Sequence, residues 1–429
     1  MPSVILWYVH TAHGRGPAWL AVDSLGTGVC FTMKSTIAAI DFGTSKIVTL
    51  VAETSGTQRC DIIGAGISLY DGYLEGEWNN ALLLNEAIGK SVAEAELQAK
   101  RKIREINVGV PGEFTRVYAV ETSVTIQGAD PRVTPRHVEK IFASADKQLS
   151  PVRGVVVHRS PAWFMVDGGK KTLEPVGMKG TELKALVSFV VADTFFLDDV
   201  MARLRDMNIT VSGFFSSSTG EAMLYLLEED RDRTAILIDI GYLCTDVMAV
   251  EGDAVIFQKT LPVGGGHISA DIAEGLSIPL LAAEQIKRDY VYGISTITQN
   301  YSVSSGDGLK TETFAQDQVA AVLEPRVDEI AELIKECITE SGVKLGNWSA
   351  IYLTGGGLSL NRGGRDYLAS KLDKPVRETV KRTIKLSSPI YASSMGLMDL
   401  IIDTIESRNV PSGGVAGGIK DFFKSLIGS

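Results

Sequence analysis

Two short segments, far apart in the chain, place an aspartate where an apolar strand pattern meets a glycine-containing turn. Asp41 ends the first strand pattern, and Asp239 ends the second. Carboxylates hold a divalent metal directly or through water, and the end of a strand is a sensible place for them. We therefore predict that Asp41 and Asp239 face one Mg²⁺ ion.

The residues after Asp41 suit a phosphate group. Glycine lets backbone N–H groups approach a phosphate closely because it has no Cβ atom. We predict that phosphate oxygens accept hydrogen bonds from Gly43, Thr44 and Ser45, and that Lys46 adds positive charge. For either segment alone, an ordinary hairpin turn is the alternative, since Asp and Gly are favoured there. Two copies, together with the later glycine segment Gly355, Gly356 and Gly357, favour the phosphate site.

The elements around these segments repeat. Strand patterns at 36–40 and 47–51 flank the first turn, and patterns at 235–238 and 246–250 flank the second. Each pair is typical of a β-hairpin. Two similar halves and a late glycine segment predict a duplicated α/β architecture with a central cleft. Apolar spacing predicts helices at 85–104 and 319–340, and a separate small α/β module covers 104–188.

Composition excludes several classes of protein. The 429 residues carry a net charge of −10, which argues against a general nucleic-acid binder. Four scattered cysteines fit a reducing cytosol. No apolar run reaches the roughly 18 residues of a membrane span. The 43 glycines exceed the average share of about 7%, so their placement is informative.

Residues 1–32 differ from the rest. They show neither helical nor strand periodicity, and a clean strand pattern begins only after Met33. No basic segment precedes their apolar patch, so a signal peptide is not expected. We predict that the working protein begins at Met33 and that 1–32 is a disordered extension or a misassigned start.

Taken together, the glycine segments resemble those of the actin, sugar-kinase and DnaK-type ATPase superfamily. Within it, the chain resembles the FtsA family of bacterial cell-division proteins from about Met33 onward. The segment 321–326 (AVLEPR) is similar to that family's V-I-E-P-R block, and 176–180 (VGMKG) is similar to its N-P-V-G-L-x-G block. The resemblance implies a two-lobed actin-like α/β fold with nucleotide in the cleft and a small inserted domain.

The resemblance also implies which residues bind ATP and Mg²⁺. Phosphate loop one would be 41–46, phosphate loop two 239–246 with Gly241, and the adenosine loop 354–357. The segment Gly264, Gly265 and Gly266 would border the nucleotide. Glu284 and Lys287, one helical turn apart, would reach the ribose and adenine. An exposed ion pair of little energetic value is the alternative for these two residues.

Phosphate loop two departs from the superfamily pattern D-I-G-G-G-T-x-D. Tyr242 and Leu243 stand where glycines are usual, and Cys244 replaces a hydroxyl donor. The added side chains lie where backbone should approach a phosphate. We therefore expect weak or absent hydrolysis, and the sequence offers no convincing catalytic base.

The last residues form an amphipathic pattern. Apolar side chains at i, i+3, i+4, i+7 and i+8 predict one stripe along a short helix, and lysines lie on its other side. A Ser/Pro/Gly-rich linker precedes it, which favours an interfacial membrane anchor over a helix docked on the protein's own core. The predicted anchor residues are Ile419, Phe422, Phe423, Leu426 and Ile427.

The family resemblance implies a filament-forming adaptor that tethers the FtsZ ring to the inner leaflet of the cytoplasmic membrane at the division site and recruits later division proteins. The C-terminal tail of FtsZ would dock beside the E-P-R helix, with Arg326 as the contact. A small-molecule kinase of the same superfamily and a PilM-type pilus-assembly scaffold are the alternatives. The domains implied are an extension at 1–32, a first lobe at 33–103 with 189–215 and 380–405, an inserted subunit-contact domain at 104–188, a second lobe at 216–379 with a nucleotide cap at about 258–328, a linker at 406–417 and the membrane helix at 418–429.

Overall fold

The structure is a computed structural model. It describes residues 6–8, 19–22, 28–31, 35–55, 59–149, 152–293, 299–304, 311–346, 349–379 and 386–408. The predicted membrane helix at 418–429 lies outside these ranges. No helix among the described residues is both long enough and apolar enough to cross a membrane.

Strands and helices alternate along most of the described chain. The strands are β1 (Leu6–Tyr8), β2 (Trp19–Val22), β3 (Gly28–Phe31), β4 (Ser35–Phe42), β5 (Lys46–Ser55), β6 (Arg59–Leu69), β7 (Tyr73–Leu74), β8 (Glu77–Trp78), β9 (Glu105–Val110), β10 (Thr115–Thr125), β11 (Val155–Val166), β12 (Glu182–Ala192), β13 (Thr210–Ser216), β14 (Ala235–Ile240), β15 (Thr245–Glu251), β16 (Ala254–Leu261), β17 (Asn300–Ser304), β18 (Thr311–Ala315), β19 (Ile351–Thr354) and β20 (Val376–Glu378). The helices are α1 (Ala81–Ala99), α2 (Pro135–Leu149), α3 (Thr194–Asp206), α4 (Ser217–Tyr225), α5 (Glu228–Arg231), α6 (Gly265–Gly275), α7 (Leu280–Asp289), α8 (Gln316–Glu340), α9 (Gly364–Leu372) and α10 (Ala392–Arg408), with short 3₁₀ turns at Gly112–Phe114 and Pro389–Tyr391.

Two five-stranded sheets share one topology. The first has the order β6-β5-β4-β9-β13, and the second has the order β16-β15-β14-β19-β20. In each sheet the first three strands in chain order pair antiparallel, and the last two join in parallel. The duplicated α/β architecture is confirmed, and both predicted hairpins are present as β4–β5 and β14–β15.

The central strand β4 shows why the first sheet is covered on both sides. Alternate residues of a strand point to opposite faces. Ile40 and Phe42 pack in one apolar cluster with residues of α1 and α3, whereas Ile37 and Ala39 pack in another with residues of α10. The strand is therefore a fixed support, and Asp41 near its end is held in place by packing on either side.

Helix α1 begins earlier and ends earlier than the predicted 85–104. The Asn80 side chain accepts hydrogen bonds from the backbone N–H groups of Leu82 and Leu83, which caps the first turn. Lys100 takes a left-handed conformation with φ of 54°, and the helix stops there. The cap residue therefore sets the start, which apolar spacing alone does not reveal.

The inserted unit is a three-stranded antiparallel sheet of order β10-β12-β11, with α2 packed against it. It is narrower at its start than the predicted 104–188, because β9 is a strand of the first five-stranded sheet. It is also longer at its end, since β12 continues to Ala192. Ser188 donates to the carbonyl of Val255, so this unit also contacts the second lobe.

Both ends of the chain depart from the predicted pattern. Within 1–32, where no strand was expected, β1, β2 and β3 pair as an antiparallel sheet. Their Trp, Val and Phe residues have high strand propensity, which a search for periodicity overlooks in runs this short. Near the other end, α10 continues to Arg408, three residues into the predicted linker.

Candidate functional site

The two predicted phosphate loops are equivalent hairpin turns that meet between the lobes. The N–H of Gly43 donates to the carbonyl of Lys46 at 3.0 Å, and that of Gly241 donates to the carbonyl of Cys244 at 2.9 Å. The N–H of Leu243 then donates to Thr44 Oγ1 at 3.0 Å, which joins loop two to loop one. The structure therefore brings the predicted loops together, and the glycine N–H groups close the turns themselves.

Asp41 is buried at the end of β4. Its Oδ1 accepts a hydrogen bond from Ser217 Oγ at 2.8 Å, which comes from the first turn of α4. Burial raises the pKa of Asp41 above its ordinary value, and the hydrogen bonds from Ser217 and two serines near the start of α10, with the charge of Lys46, oppose that rise. These contacts favour a carboxylate that is held in one orientation.

Asp239 differs from Asp41 because one of its oxygens is left without a partner. Burial and the nearby charge of Asp246 raise the pKa of Asp239 to about 7. Its Oδ1 atom is shielded from solvent and has no hydrogen-bond partner in the described structure. A buried acceptor without a partner costs free energy, so this oxygen is a natural position for a cation or a bound water.

Lys46 supplies the positive charge between the lobes. Burial lowers the pKa of Lys46, and the charges of Asp239 and Asp41, in that order, oppose the fall. The lysine thus interacts electrostatically with both predicted metal ligands. The pair of carboxylates and the one cation that the sequence predicted at the cleft are near one another.

Three further carboxylates at the cleft were not predicted as site residues from the sequence. Glu221 on α4 is only 2% exposed, and its Oε1 has no hydrogen-bond partner in the described structure. Burial and the charges of Asp239, Asp246 and Asp41 raise the pKa of Glu221 well above its ordinary value. Burial raises the pKa of Asp246 to about 6, with a contribution from Glu113.

A signal for Glu221 existed in the sequence. It is the one charged residue between Asp206 and Glu228. A lone charge within an apolar stretch is uncommon unless it is paired or functional. No motif spacing marks Glu113, which accepts a hydrogen bond from Cys244 Sγ at 3.2 Å across the cleft.

Loop one is held from behind by tyrosines. Tyr70 donates through its hydroxyl to the carbonyl of Gly43 at 2.7 Å, and Tyr73 donates to the carbonyl of Phe42 at 3.2 Å. The Tyr73 ring also contacts Trp78 and Phe114 with centroids 5.8 and 5.1 Å apart. This aromatic packing fixes the backbone that carries Asp41.

The glycines of the second lobe pack against one another. A Cβ atom on Gly265 would lie 2.5 Å from the Cα of Gly357, and one on Gly264 would lie 2.7 Å from the carbonyl oxygen of Tyr242. Gly355 has φ of +85°, and a Cβ there would lie 2.1 Å from Asp239 Oδ1. Close backbone packing therefore requires these glycines, in addition to any role toward a phosphate.

Tyr242 occupies the start of α6. Its carbonyl accepts the N–H of Gly266 at 2.6 Å, while the carbonyl of Gly241 accepts the N–H of Gly265 at 2.9 Å. A Cβ on Gly266 would lie 2.9 to 3.0 Å from three carbons of the Tyr242 ring. The first N–H groups of this helix, which sequence reasoning assigned to the nucleotide, are thus paired with loop two.

Glu284 and Lys287 form a largely buried pair. Lys287 Nζ donates to Glu284 Oε2 at 2.7 Å and to the carbonyl of Gly265 at 2.9 Å. Glu284 also accepts from Ser269 and Arg288. The Lys287 side chain is 3% exposed, so the alternative of an exposed surface pair is wrong for this residue. The pair ties α7 to the start of α6.

The chemistry of the carboxylates fits a metal held mainly through water. Among the described residues, no three His, Cys, Asp or Glu side chains are arranged to share one metal ion. Mg²⁺ usually keeps several waters and takes one or two carboxylates together with phosphate oxygens. Asp41 and the unpartnered oxygen of Asp239 meet that smaller requirement.

Arg326, the predicted contact for the FtsZ tail, is paired within the protein. It donates to both carboxylate oxygens of Asp271, at 2.6 and 3.0 Å, and to Glu329 at 2.5 Å. Its side chain remains 27% exposed. The arginine thus joins α8 to α6, and an acidic peptide that reached it would compete with these carboxylates. The predicted anchor residues Ile419, Phe422, Phe423, Leu426 and Ile427 lie outside the described residues.

Two family models match the chain. One, described as "Cell division protein FtsA", matches residues 236–396, and the other, "SHS2 domain inserted in FTSA", matches residues 112–191. FtsA of Pseudomonas aeruginosa is 26% identical over 370 residues, covering 84% of this chain and 88% of that protein. FtsA of Escherichia coli K12 is 23% identical over 382 residues, covering 86% and 90%.

Solved structures share the fold. A chain of the PilM–PilN type IV pilus biogenesis complex superposes with a TM-score of 0.58 at 17% identity, covering 87% of this chain and 98% of that one. MreB 5 of Spiroplasma citri bound to AMPPNP superposes with a TM-score of 0.50 at 13% identity, covering 86% and 98%. The duplicated sheets, the inserted domain and the relatives agree: the chain belongs to the FtsA family of actin-like bacterial cell-division proteins.

Proposed function

We propose that this cell-division protein binds ATP with Mg²⁺ between its two lobes. The observation that carries the proposal is the meeting of Asp41, Lys46 and Asp239 at equivalent strand ends, with a buried Asp239 oxygen that lacks a partner in the described structure. Asp41 and Asp239 would hold Mg²⁺ through water, and Lys46 would contact a phosphate. A bound Mg²⁺–ATP would neutralise the clustered carboxylates and link the lobes. MreB 5, which shares the fold, has been solved with AMPPNP bound, and this supports the proposal.

Phosphate donors would come from the loop positions that do not close the turns. In loop one these are the N–H groups of Thr44 and Ser45, and Gly355 and Gly356 would approach the nucleotide from the second lobe. Hydrolysis would be slow, because Tyr242, Leu243 and Cys244 replace the usual loop residues. Binding without rapid turnover suits a protein whose assembly state is set by nucleotide occupancy.

Self-assembly into an actin-like filament is the second part of the proposal. The inserted domain, built from β10, β11, β12 and α2, would contact the neighbouring subunit. FtsA-family membership and the actin-like fold support this assembly. A filament multiplies weak attachments, because each linked copy adds a contact at high effective concentration.

Attachment to the inner leaflet of the cytoplasmic membrane would use the helix predicted at 418–429. Full burial of each large apolar side chain contributes about 1.5–3 kcal/mol, so the apolar stripe could hold a linked protein on a membrane. A single short helix would bind reversibly. Attachment and polymerisation would therefore reinforce each other.

The partner at the division site would be FtsZ, whose C-terminal tail would dock on the α6–α8 surface beside Arg326. An acidic segment would exchange with Asp271 and Glu329 for the guanidinium. Later division proteins would then be recruited to the same filament. Arg326→Ala should weaken binding of a synthetic FtsZ-tail peptide, and Lys335→Ala, farther along α8, is the matched control.

Two other functions make different predictions. A PilM-type scaffold shares the fold but would not bind liposomes through residues 418–429. A kinase would transfer phosphate to an acceptor on a sugar panel, which the division function does not require. FtsA-family membership favours the division protein over both.

Localisation in living cells tests the proposal. A fluorescent fusion to the full chain should form a ring at midcell, and a fusion lacking residues 418–429 should lose the ring while the protein remains folded. A diffuse or polar signal from the full-length fusion would contradict the division role.

A further inference from the structure

The ring of Tyr242 lies at the nucleoside end of the proposed cleft. It packs against Gly266 so closely that a Cβ atom there would lie 2.9 to 3.0 Å from three ring carbons. The backbone of Tyr242 is fixed at the same place, because its carbonyl accepts the Gly266 N–H at 2.6 Å. Ring and backbone are therefore both held against the first turn of α6.

Charged neighbours hold the ring as well. Lys287 Nζ lies 5.9 Å from the centroid of the Tyr242 ring, a distance at which a cation and an aromatic face attract. Lys287 is itself fixed by Glu284 and the carbonyl of Gly265. Burial and the charge of Glu284 raise the pKa of Tyr242, so the phenol stays neutral at physiological pH.

The surroundings of the ring coincide with the expected surroundings of the nucleoside. Gly266, Glu284 and Lys287 are the residues that the sequence assigned to ribose and adenine, and the structure places Tyr242 among them. One volume cannot hold a phenol ring and a nucleoside together. The ring and an adenosine bound at this position would therefore compete for the same space.

We propose that Tyr242 is an affinity-determining residue that fills the nucleoside end of the cleft and must swing aside before adenosine enters. This inference rests on the proposed nucleotide site. The apparent affinity for ATP is then reduced by the fraction of molecules in which the ring is displaced. A ligand that carries only phosphates does not need that displacement, so its affinity is independent of the ring.

Calorimetric titration of the full-length protein tests this. Wild type, Tyr242→Ala and Tyr242→Phe are each titrated with ATP and with inorganic tripolyphosphate in the presence of Mg²⁺. If the ring is displaced in about a tenth of wild-type molecules, Tyr242→Ala binds ATP roughly tenfold more tightly. Tripolyphosphate affinity is the same in all three proteins, and Tyr242→Phe matches wild type because it retains the ring.

Each other outcome overturns the proposal. Unchanged or weaker ATP binding by Tyr242→Ala means that the ring does not obstruct the nucleoside, and weaker binding indicates a stacking platform instead. Equal tightening for ATP and tripolyphosphate means that the residue acts on loop closure. If no protein binds ATP or tripolyphosphate, the nucleotide site itself fails, and the role of Tyr242 fails with it.

A second measurement does not depend on the alanine variant folding. Wild-type protein with 3-fluorotyrosine at position 242 should show a displaced ¹⁹F resonance on addition of ATP and no displacement on addition of tripolyphosphate. A resonance that ignores saturating ATP contradicts the proposal.

Discussion

The backbone N–H of Leu243 donates to the side-chain oxygen of Thr44 at 3.0 Å, although the residues are 199 positions apart. This hydrogen bond joins the turn of the first lobe to the equivalent turn of the second lobe. It connects the two loops whose carboxylates and lysine form the candidate site. The closeness of the lobes at this point depends on a side chain that the sequence assigned to a phosphate.

Replacing Thr44 should loosen this junction. Thr44→Val keeps the shape of the side chain but removes the acceptor, which costs about 1 kcal/mol for a hydrogen bond of this kind. The Leu243 amide should then exchange with deuterium faster than in wild type. Thr44→Ser retains the hydroxyl and should exchange like wild type. Unchanged protection in Thr44→Val would show that the bond does not hold the lobes together.

The two lysines near the cleft should behave differently. Lys46→Met removes the charge aimed at the phosphates, and a charge-assisted hydrogen bond contributes about 1.5–3 kcal/mol, so ATP affinity should fall about tenfold or more. Its folding stability should change little. Equilibrium binding of ATP, measured beside urea unfolding, tests both statements.

Lys287→Met should show the reverse emphasis. This lysine is 3% exposed and paired with Glu284, and removing one partner of a buried pair costs about 3 kcal/mol. Urea unfolding should therefore reveal a large loss of stability. A stable Lys287→Met protein whose only defect is ATP binding would assign the pair to the nucleotide instead of the fold.

Asp239 should make stability depend on pH. An unfolded aspartate titrates near 3.8, whereas burial and Asp246 raise the pKa of Asp239 to about 7 in the folded protein. The folded state thus binds the proton more tightly, and stability from this group is lost as pH rises from about 4 to 7. Asp239→Asn should raise the unfolding free energy at pH 8 by on the order of 1–3 kcal/mol and leave it unchanged near pH 4.

Unfolding curves at the two pH values, without added metal, measure this effect. Asp232→Asn changes an exposed aspartate of the same lobe and serves as the control. An equal effect of Asp239→Asn at both pH values would mean that the carboxylate is not strained in the folded state.

Membrane attachment should depend on the apolar stripe of the last residues. Phe423→Glu places a charge in the stripe and should release the protein from liposomes in a co-sedimentation assay. Ser425→Glu adds the same charge on the polar side of the predicted helix and should reduce binding much less. Equal binding by the wild type and Phe423→Glu would exclude the anchor.

Local sequence rules predicted the hairpins and the positions of Asp41 and Asp239, because strand patterns and turn residues act over a few positions. The start of α1 depended on one side chain, Asn80, whose capping bonds are not periodic. Glu221 was missed because its role arises only when the fold brings α4 near three aspartates that are distant in the chain.

Tyr242 shows a different limit. Its substitution for a glycine was visible in the sequence and indicated a disturbed phosphate loop. The contact with Gly266, more than twenty positions later, decides which part of the cleft the ring fills, and only the folded chain shows it. Likewise, the burial of Lys287 follows from the packing of α7 on α6, which helical spacing does not specify.

Recruitment of FtsZ to membranes is the most direct test of the proposed function. FtsZ from the same organism is mixed with GTP and liposomes, with the full chain, and with a chain lacking residues 418–429, and the pellets are compared. We predict that FtsZ sediments with liposomes only when the full chain is present with Mg²⁺–ATP. FtsZ that sediments no more with the full chain than without it would contradict the proposed function.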